Sequence, residues 1–123
     1  MQKVLIIDAA PTVHSALALC LRSEAVTIHS AHDGQAGIDS ANALGPDLIL
    51  LDVDLPGTNG LDVCRRLKRG KKTREIPIIM VTTRGETDSV ERGYLGGCND
   101  YVTKPVNANE LLTKIRNLLG GAR

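Results

Sequence analysis

Apolar blocks of four to six residues alternate with segments of helical spacing along the whole chain. Val4, Leu5, Ile6 and Ile7 form a continuous apolar run, and Val13, Ala16, Leu17, Cys20 and Leu21 follow on one helical stripe. Val26–Ala31 alternates apolar and polar positions, which predicts a strand nearer the edge of a sheet. A helix is predicted over 36–44 with Asp33 as its cap. Residues 48–51 form a second fully apolar strand, and Leu61, Cys64, Leu67 and Lys68 continue as a helix that stops near Gly70. A fourth strand is predicted over 76–81, with Pro77 at its start where a missing N–H is tolerated. A weaker helix over 87–96 carries Gly93, and a short fifth strand covers 101–103. The last helix opens with Asn107-x-x-Glu110, a capping-box variant, and keeps Leu111, Leu112, Ile115, Leu118 and Leu119 on one stripe.

Strands apolar on both faces, each followed by a helix, predict a parallel sheet covered on both sides: a doubly wound α/β domain. At 123 residues the chain suits one such domain, over 1–119, with 120–123 as a flexible tail or the start of a linker. Its 42% hydrophobic and 24% charged residues fall in the globular range. No apolar run approaches the roughly 20 residues that span a bilayer, and residues 1–10 lack the pattern of a signal peptide. The expected setting is therefore cytoplasmic, with no membrane partner. Phe and Trp are absent, so the core must be aliphatic.

The formal charge of +1 conceals an asymmetry. Residues 65–74, RRLKRGKKTR, hold seven of the fifteen basic residues and no acidic one, leaving eight basic and fourteen acidic residues elsewhere. The favoured reading is a helix end, where cations meet the negative end of the dipole. No aromatic residues interleave to stack on bases, so direct nucleic-acid binding is not expected. Cys20, Cys64 and Cys98 contain no C-x-x-C pair and are expected to be free thiols in a reducing compartment. His14, His29 and His32 form no metal signature, and three-residue spacing on a strand would point His29 and His32 to opposite faces.

The polar residues that end the apolar strands are more informative. Strand one ends at Asp8, strand three at Asp52, strand four at Thr82, and strand five runs into Lys104 and Pro105. In a doubly wound sheet the ligand crevice lies beyond the carboxyl ends of the strands. Two carboxylates, a hydroxyl and an ammonium therefore converge on one place. Such a set suits phosphoryl transfer to a carboxylate: an aspartate can form an acyl phosphate, and an ammonium with a divalent cation can neutralise the incoming charge. Neither glycine-rich nucleotide loop, G-x-G-x-x-G or G-x-x-x-x-G-K-[ST], occurs.

Over its full length the sequence resembles the receiver domain of two-component response regulators. The matching stretches are VLIIDAAP at 4–11, PDLILLDVDLPGTNGLDVCRRLK at 46–68, IPIIMVTTR at 76–84 and DYVTKPV at 100–106. The resemblance implies a five-stranded flavodoxin-like (βα)5 fold with strand order 2-1-3-4-5. It implies Asp52 as the phosphoacceptor, Lys104 as the paired ammonium, Thr82 as the switch hydroxyl, Tyr101 as the aromatic switch and a cis peptide before Pro105. Mg2+ would be held by Asp8, Asp52 and the backbone carbonyl of Asp54. The implied donor is a histidine kinase or histidine phosphotransfer protein. An output domain or effector would meet the face of the fourth helix, fifth strand and fifth helix. No enzymatic turnover is implied beyond self-phosphorylation and self-dephosphorylation.

Two departures stand out. The family normally carries two adjacent acidic residues after the first strand, and the second is Ala9 here, so magnesium affinity is expected to fall. The small residue common after the switch hydroxyl is Thr83, a branched side chain that would slow donor approach or hydrolysis. Ala9 motivates one alternative, a degenerate receiver acting as a phosphorylation-independent interaction module. A second alternative is enzymatic, since Asp52-Val53-Asp54 resembles the D-x-D motif of haloacid-dehalogenase-type phosphatases. That family places the motif on its first strand and generally in a longer chain.

Overall fold

The computed structural model describes residues 1–83 and 97–120. β1 (Gln2–Ile7), α1 (Pro11–Leu21), β2 (Val26–Ala31), α2 (Gly34–Leu44) and β3 (Leu48–Asp52) come first. Two short strands, β4 (Asp54–Leu55) and β5 (Thr58–Asn59), form an antiparallel hairpin before α3 (Gly60–Arg69). β6 (Ile78–Thr83), β7 (Asp100–Lys104) and α4 (Ala108–Leu118) complete the described elements. The helix expected over 87–96 lies outside the described residues, as does the expected tail beyond Gly120. No helix among the described residues is long and apolar enough to cross a membrane.

The five long strands form one parallel sheet in the order β2-β1-β3-β6-β7, the flavodoxin-like arrangement. Pleating sends successive side chains to opposite faces, and the core divides accordingly. Leu5, Ile7, Ile49, Leu51, Ile78 and Met80 pack on one face with Leu61, Cys64 and Leu67 of α3. Val4, Ile6, Leu48, Leu50, Ile79 and Val81 pack on the other with Leu17 and Leu21 of α1 and Leu111 and Ile115 of α4. Each fully buried Leu or Ile contributes about 1.5–3 kcal/mol, so the unbroken apolar runs of β1 and β3 specify the middle of the sheet. β2, whose pattern alternates, takes an edge.

Several predicted boundaries move. Ile76 and Pro77 precede the fourth sheet strand, which runs instead from Ile78 through Thr82 to Thr83. α2 begins at Gly34, directly after its cap Asp33, whose Oδ1 accepts from Ala36 N at 2.8 Å. Asn107 caps α4 by accepting from Glu110 N at 2.9 Å, but Glu110 turns its carboxylate to Lys114 and leaves the reciprocal half of the box unmade. His32 lies beyond the end of β2, so strand alternation does not govern its direction.

The basic run is not one surface. α3 starts against Asp52, and in its last turn Lys68 is half-buried. Its Nζ donates to Ile76 O at 2.6 Å and to Asn99 Oδ1 at 3.3 Å, tying together the entrances of β6 and β7, and burial lowers its pKa.

Gly60 positions α3 against the end of β3. Its N–H donates to Val53 O at 2.8 Å, and a Cβ there would overlap the Asp52 carbonyl oxygen and lie 2.7 Å from Val53 Cα. Backbone cannot yield as a side-chain tip can, so Gly60→Ala is expected to cost about 1–3 kcal/mol. Gly45, the left-handed cap of α2 at φ 58°, has open space around it; Gly45→Ala is expected to cost only the conformational term of about 1–2 kcal/mol. Denaturant midpoints measure both, and only Gly60→Ala is expected also to perturb the Asp52 amide resonance.

Candidate functional site

Asp8 follows the last residue of β1 and is held from every side. Its N–H donates to Ala31 O at 3.1 Å, and its Oδ1 accepts from Ala10 N at 2.8 Å. Its Oδ2 accepts from Lys104 Nζ at 3.0 Å. Asp52 ends β3, where Oδ1 accepts from Asp54 N at 3.3 Å and Oδ2 lies 3.5 Å from the same ammonium. Lys104 ends β7, and the Lys104–Pro105 peptide is cis. Thr82 lies on β6 beside Thr103 in register, one position beyond Val81, the partner of Asp52. Parallel register thus brings the ends of four sequence-distant segments together. Asp8, Asp52 and Thr82 are only 2%, 6% and 5% exposed.

Other candidates fall outside this cluster. Asp54 is exposed, and it reaches Asp52 through its backbone N–H. Ala9 is exposed beside the site, and Thr83, paired in register with Lys104, is exposed as well. Tyr101 stands three residues before Lys104, half-buried at the sheet edge. Cys64 and Cys98 are buried cysteines outside any disulfide, with the Cys98 pKa pushed up to about 12 by burial, while Cys20 is half-buried. A thiol with so high a pKa supplies little thiolate for nucleophilic chemistry.

His14 was not legible as part of this site. It is 8% exposed on α1, and its Nε2 lies 2.7 Å from the Asp8 carbonyl oxygen. A carbonyl only accepts, so Nε2 is the donor of this hydrogen bond. Nδ1 is buried without a hydrogen-bond partner, and the His32 ring packs beside it at 4.5 Å between centroids. His14, six residues on, and the sequence-distant Ala31 and Lys104 therefore grip Asp8. The histidine spacing carried no signal because its partner is a backbone atom.

Electrostatically the centre pairs two carboxylates with one ammonium. Burial raises the Asp52 pKa above its ordinary value of 3.8, the Asp8 charge raises it further, and Lys104 opposes both. The result is a buried, relatively basic carboxylate, suited to act as a nucleophile toward an electrophilic phosphorus. The same donors bear on a divalent cation. Among the described residues no group of three His, Cys, Asp or Glu side chains could hold a metal. Mg2+ commonly binds through one or two carboxylates and keeps several waters. Asp8 and Asp52 fit that water-rich mode, and Ala9 adds no oxygen to it.

Comparison with known proteins agrees with this geometry. A family model described as the response regulator receiver domain matches residues 4–116. The chain belongs to that family. This receiver is 38% identical over 119 residues to the DNA-binding dual master transcriptional regulator RpaA of Synechocystis, covering 97% of the chain and 49% of the relative. It thus spans about half the length of the curated relatives it matches. A candidate response regulator from Chloroflexus aurantiacus superposes with TM-score 0.92 at 32% identity, covering 97% and 98% of the two chains. The receiver domain of a Pseudomonas aeruginosa sensor histidine kinase, solved with a magnesium ion coordinated in its active-site cleft, superposes with TM-score 0.88 at 28% identity. There the coverage is 97% of this chain and 98% of that one.

The receiver's charge arrangement predicts a pH-dependent stability. A carboxyl whose folded pKa lies above its unfolded one favours folding when protonated. That contribution is complete below the unfolded value and is lost as pH rises through the raised one. Asp52→Asn, which stays neutral, is therefore expected to be more stable than the parent at neutral pH by roughly 0.5–2 kcal/mol. The difference narrows as pH falls toward the ordinary carboxylate range. Denaturant titrations at several pH values measure both the gain and its narrowing.

Proposed function

We propose that this receiver takes a phosphoryl group from a phosphohistidine onto Asp52, the donor being a histidine kinase or phosphotransfer protein. The observation that carries the proposal is the Lys104 ammonium, 3.0 Å from Asp8 and 3.5 Å from Asp52, at the carboxyl ends of the strands. A carboxylate oxygen of Asp52 forms the new P–O bond as the P–N bond to the imidazole breaks, and that bond's electron pair returns to the ring nitrogen. Lys104, already between the two carboxylates, neutralises the charge that arrives. Thr82 donates its hydroxyl hydrogen to a phosphoryl oxygen, and Tyr101 responds to that movement from the neighbouring strand. Burial of Asp52 and Asp8 limits the water that would otherwise hydrolyse the acyl phosphate.

Mg2+ would be held by the Asp8 and Asp52 carboxylates, with the Asp54 carbonyl and water completing its shell. When bound, the ion neutralises phosphoryl oxygens. Ala9 is the specific observation that favours a second reading, an interaction module that works without phosphorylation. Beryllofluoride, a phosphoryl analogue, separates the two. With millimolar magnesium the proposal expects shifts in the amide spectrum around Asp52, Thr82 and Tyr101, and an unchanged spectrum supports the second reading.

Two variants test the residue assignments. Asp52→Asn is expected to abolish acid-labile, base-labile phosphate incorporation while the far-UV spectrum stays unchanged; persistent incorporation would move the acceptor elsewhere. Ala9→Asp adds a third carboxylate and is expected to tighten magnesium binding about tenfold, or about 1.4 kcal/mol, by calorimetric titration.

A further inference from the structure

β7 is an outer strand of the sheet, and at Tyr101 its peptide groups meet side chains. The Tyr101 N–H donates to Asp100 Oδ1 at 2.9 Å, and its carbonyl accepts from Lys114 Nζ at 2.6 Å. The two side chains are themselves paired at 3.3 Å, and Glu110 Oε2 lies 3.5 Å from the same ammonium. That ammonium also stands 5.1 Å from the centroid of the Tyr101 ring, within the range of a cation–π contact. Lys114 belongs to α4, its side chain is only 22% exposed, and the phosphoryl chemistry at Asp52 does not involve it.

We propose that Lys114 is a positioning residue that latches the Tyr101 side chain in the unphosphorylated receiver. One ammonium ties the ring, the Tyr101 carbonyl and the Asp100 carboxylate to α4, so the ring cannot turn without losing its cationic partner. The lysine does not have to leave when this happens. Asp100, Glu110 and the Tyr101 carbonyl still hold it, so only the ring contact breaks. A latch of this kind makes α4 one of the elements that set the balance between two Tyr101 positions. The consequence for signalling rests on the reading of Tyr101 as the switch residue, whereas the latch itself does not.

The chain's composition supplies the assay. It has two tyrosines, Tyr94 and Tyr101, and no Phe or Trp. In a Tyr94→Leu background the near-UV tyrosine band therefore reports Tyr101 alone. Lys114→Met keeps the aliphatic stem and removes the ammonium. It is expected to lose at least half of that near-UV circular dichroism before any phosphoryl analogue is added, while Lys114→Arg keeps the signal. An unchanged band in Lys114→Met overturns the latch, and so does a loss that Lys114→Arg fails to restore. If the far-UV spectrum shows Lys114→Met to be unfolded, Lys114→Gln is read by the same criteria. Beryllofluoride with magnesium then isolates the functional reading. A parent signal that ignores it, beside a signal lost in Lys114→Met, overturns the switch role of Tyr101 and leaves the latch standing.

Discussion

Lys104 Nζ stands 3.0 Å from Asp8 and 3.5 Å from Asp52, one ammonium between two buried carboxylates. Burying two like charges side by side is unfavourable, and a cation between them is what makes the arrangement tolerable. Burial, and after it the Asp8 charge, hold the Asp52 pKa above its ordinary value although Lys104 opposes both. The centre is thus neutralised only in part, which leaves it attractive to a further cation. The destabilisation sits at the reacting atom, as is common where residues are arranged for function rather than for stability.

That geometry is held by groups both near to it and far from it in sequence. Asp8 is fixed through its N–H by β2, through its carbonyl by His14 of α1, and through its carboxylate by Ala10 and Lys104. Asp52 is fixed by the β3–β6 register and by the close approach of Gly60, which leaves no room for a side chain. At the opposite end Lys68 joins the entrances of β6 and β7, so strands are clamped at their beginnings and the site forms at their ends. The register brings Val81, and with it Thr82, alongside Asp52.

The sheet and the cluster were legible because both rest on strong local patterns. Unbroken apolar runs mark β1, β3 and β6 as central strands, and a polar residue closing each run marks the crevice. Less of the rest could be read. The β4–β5 hairpin has strands of two residues, too short for any periodicity. His14 binds a backbone carbonyl, a partner that no residue-type pattern encodes. Lys68 looked like its neighbours in a basic run because charge counting does not distinguish a solvated ammonium from one hydrogen-bonded at a strand entrance. The Glu110 carboxylate of the expected capping box was drawn to Lys114, since an ammonium outcompetes a backbone amide for it.

The same balance of charge explains what Ala9 does. A second carboxylate at position 9 would add a negative charge beside Asp8, where a single ammonium already serves two. A like charge nearby disfavours ionisation, so it would act on the Asp52 pKa in the same direction as burial and Asp8. A methyl there adds no charge to the repulsion between Asp8 and Asp52. It also gives up an oxygen that a hard cation would use. On the proposed function, neutralising an incoming phosphoryl group then rests more on the fixed ammonium of Lys104. That lysine is on the same strand as Tyr101, β7, where Lys114 meets the sheet edge.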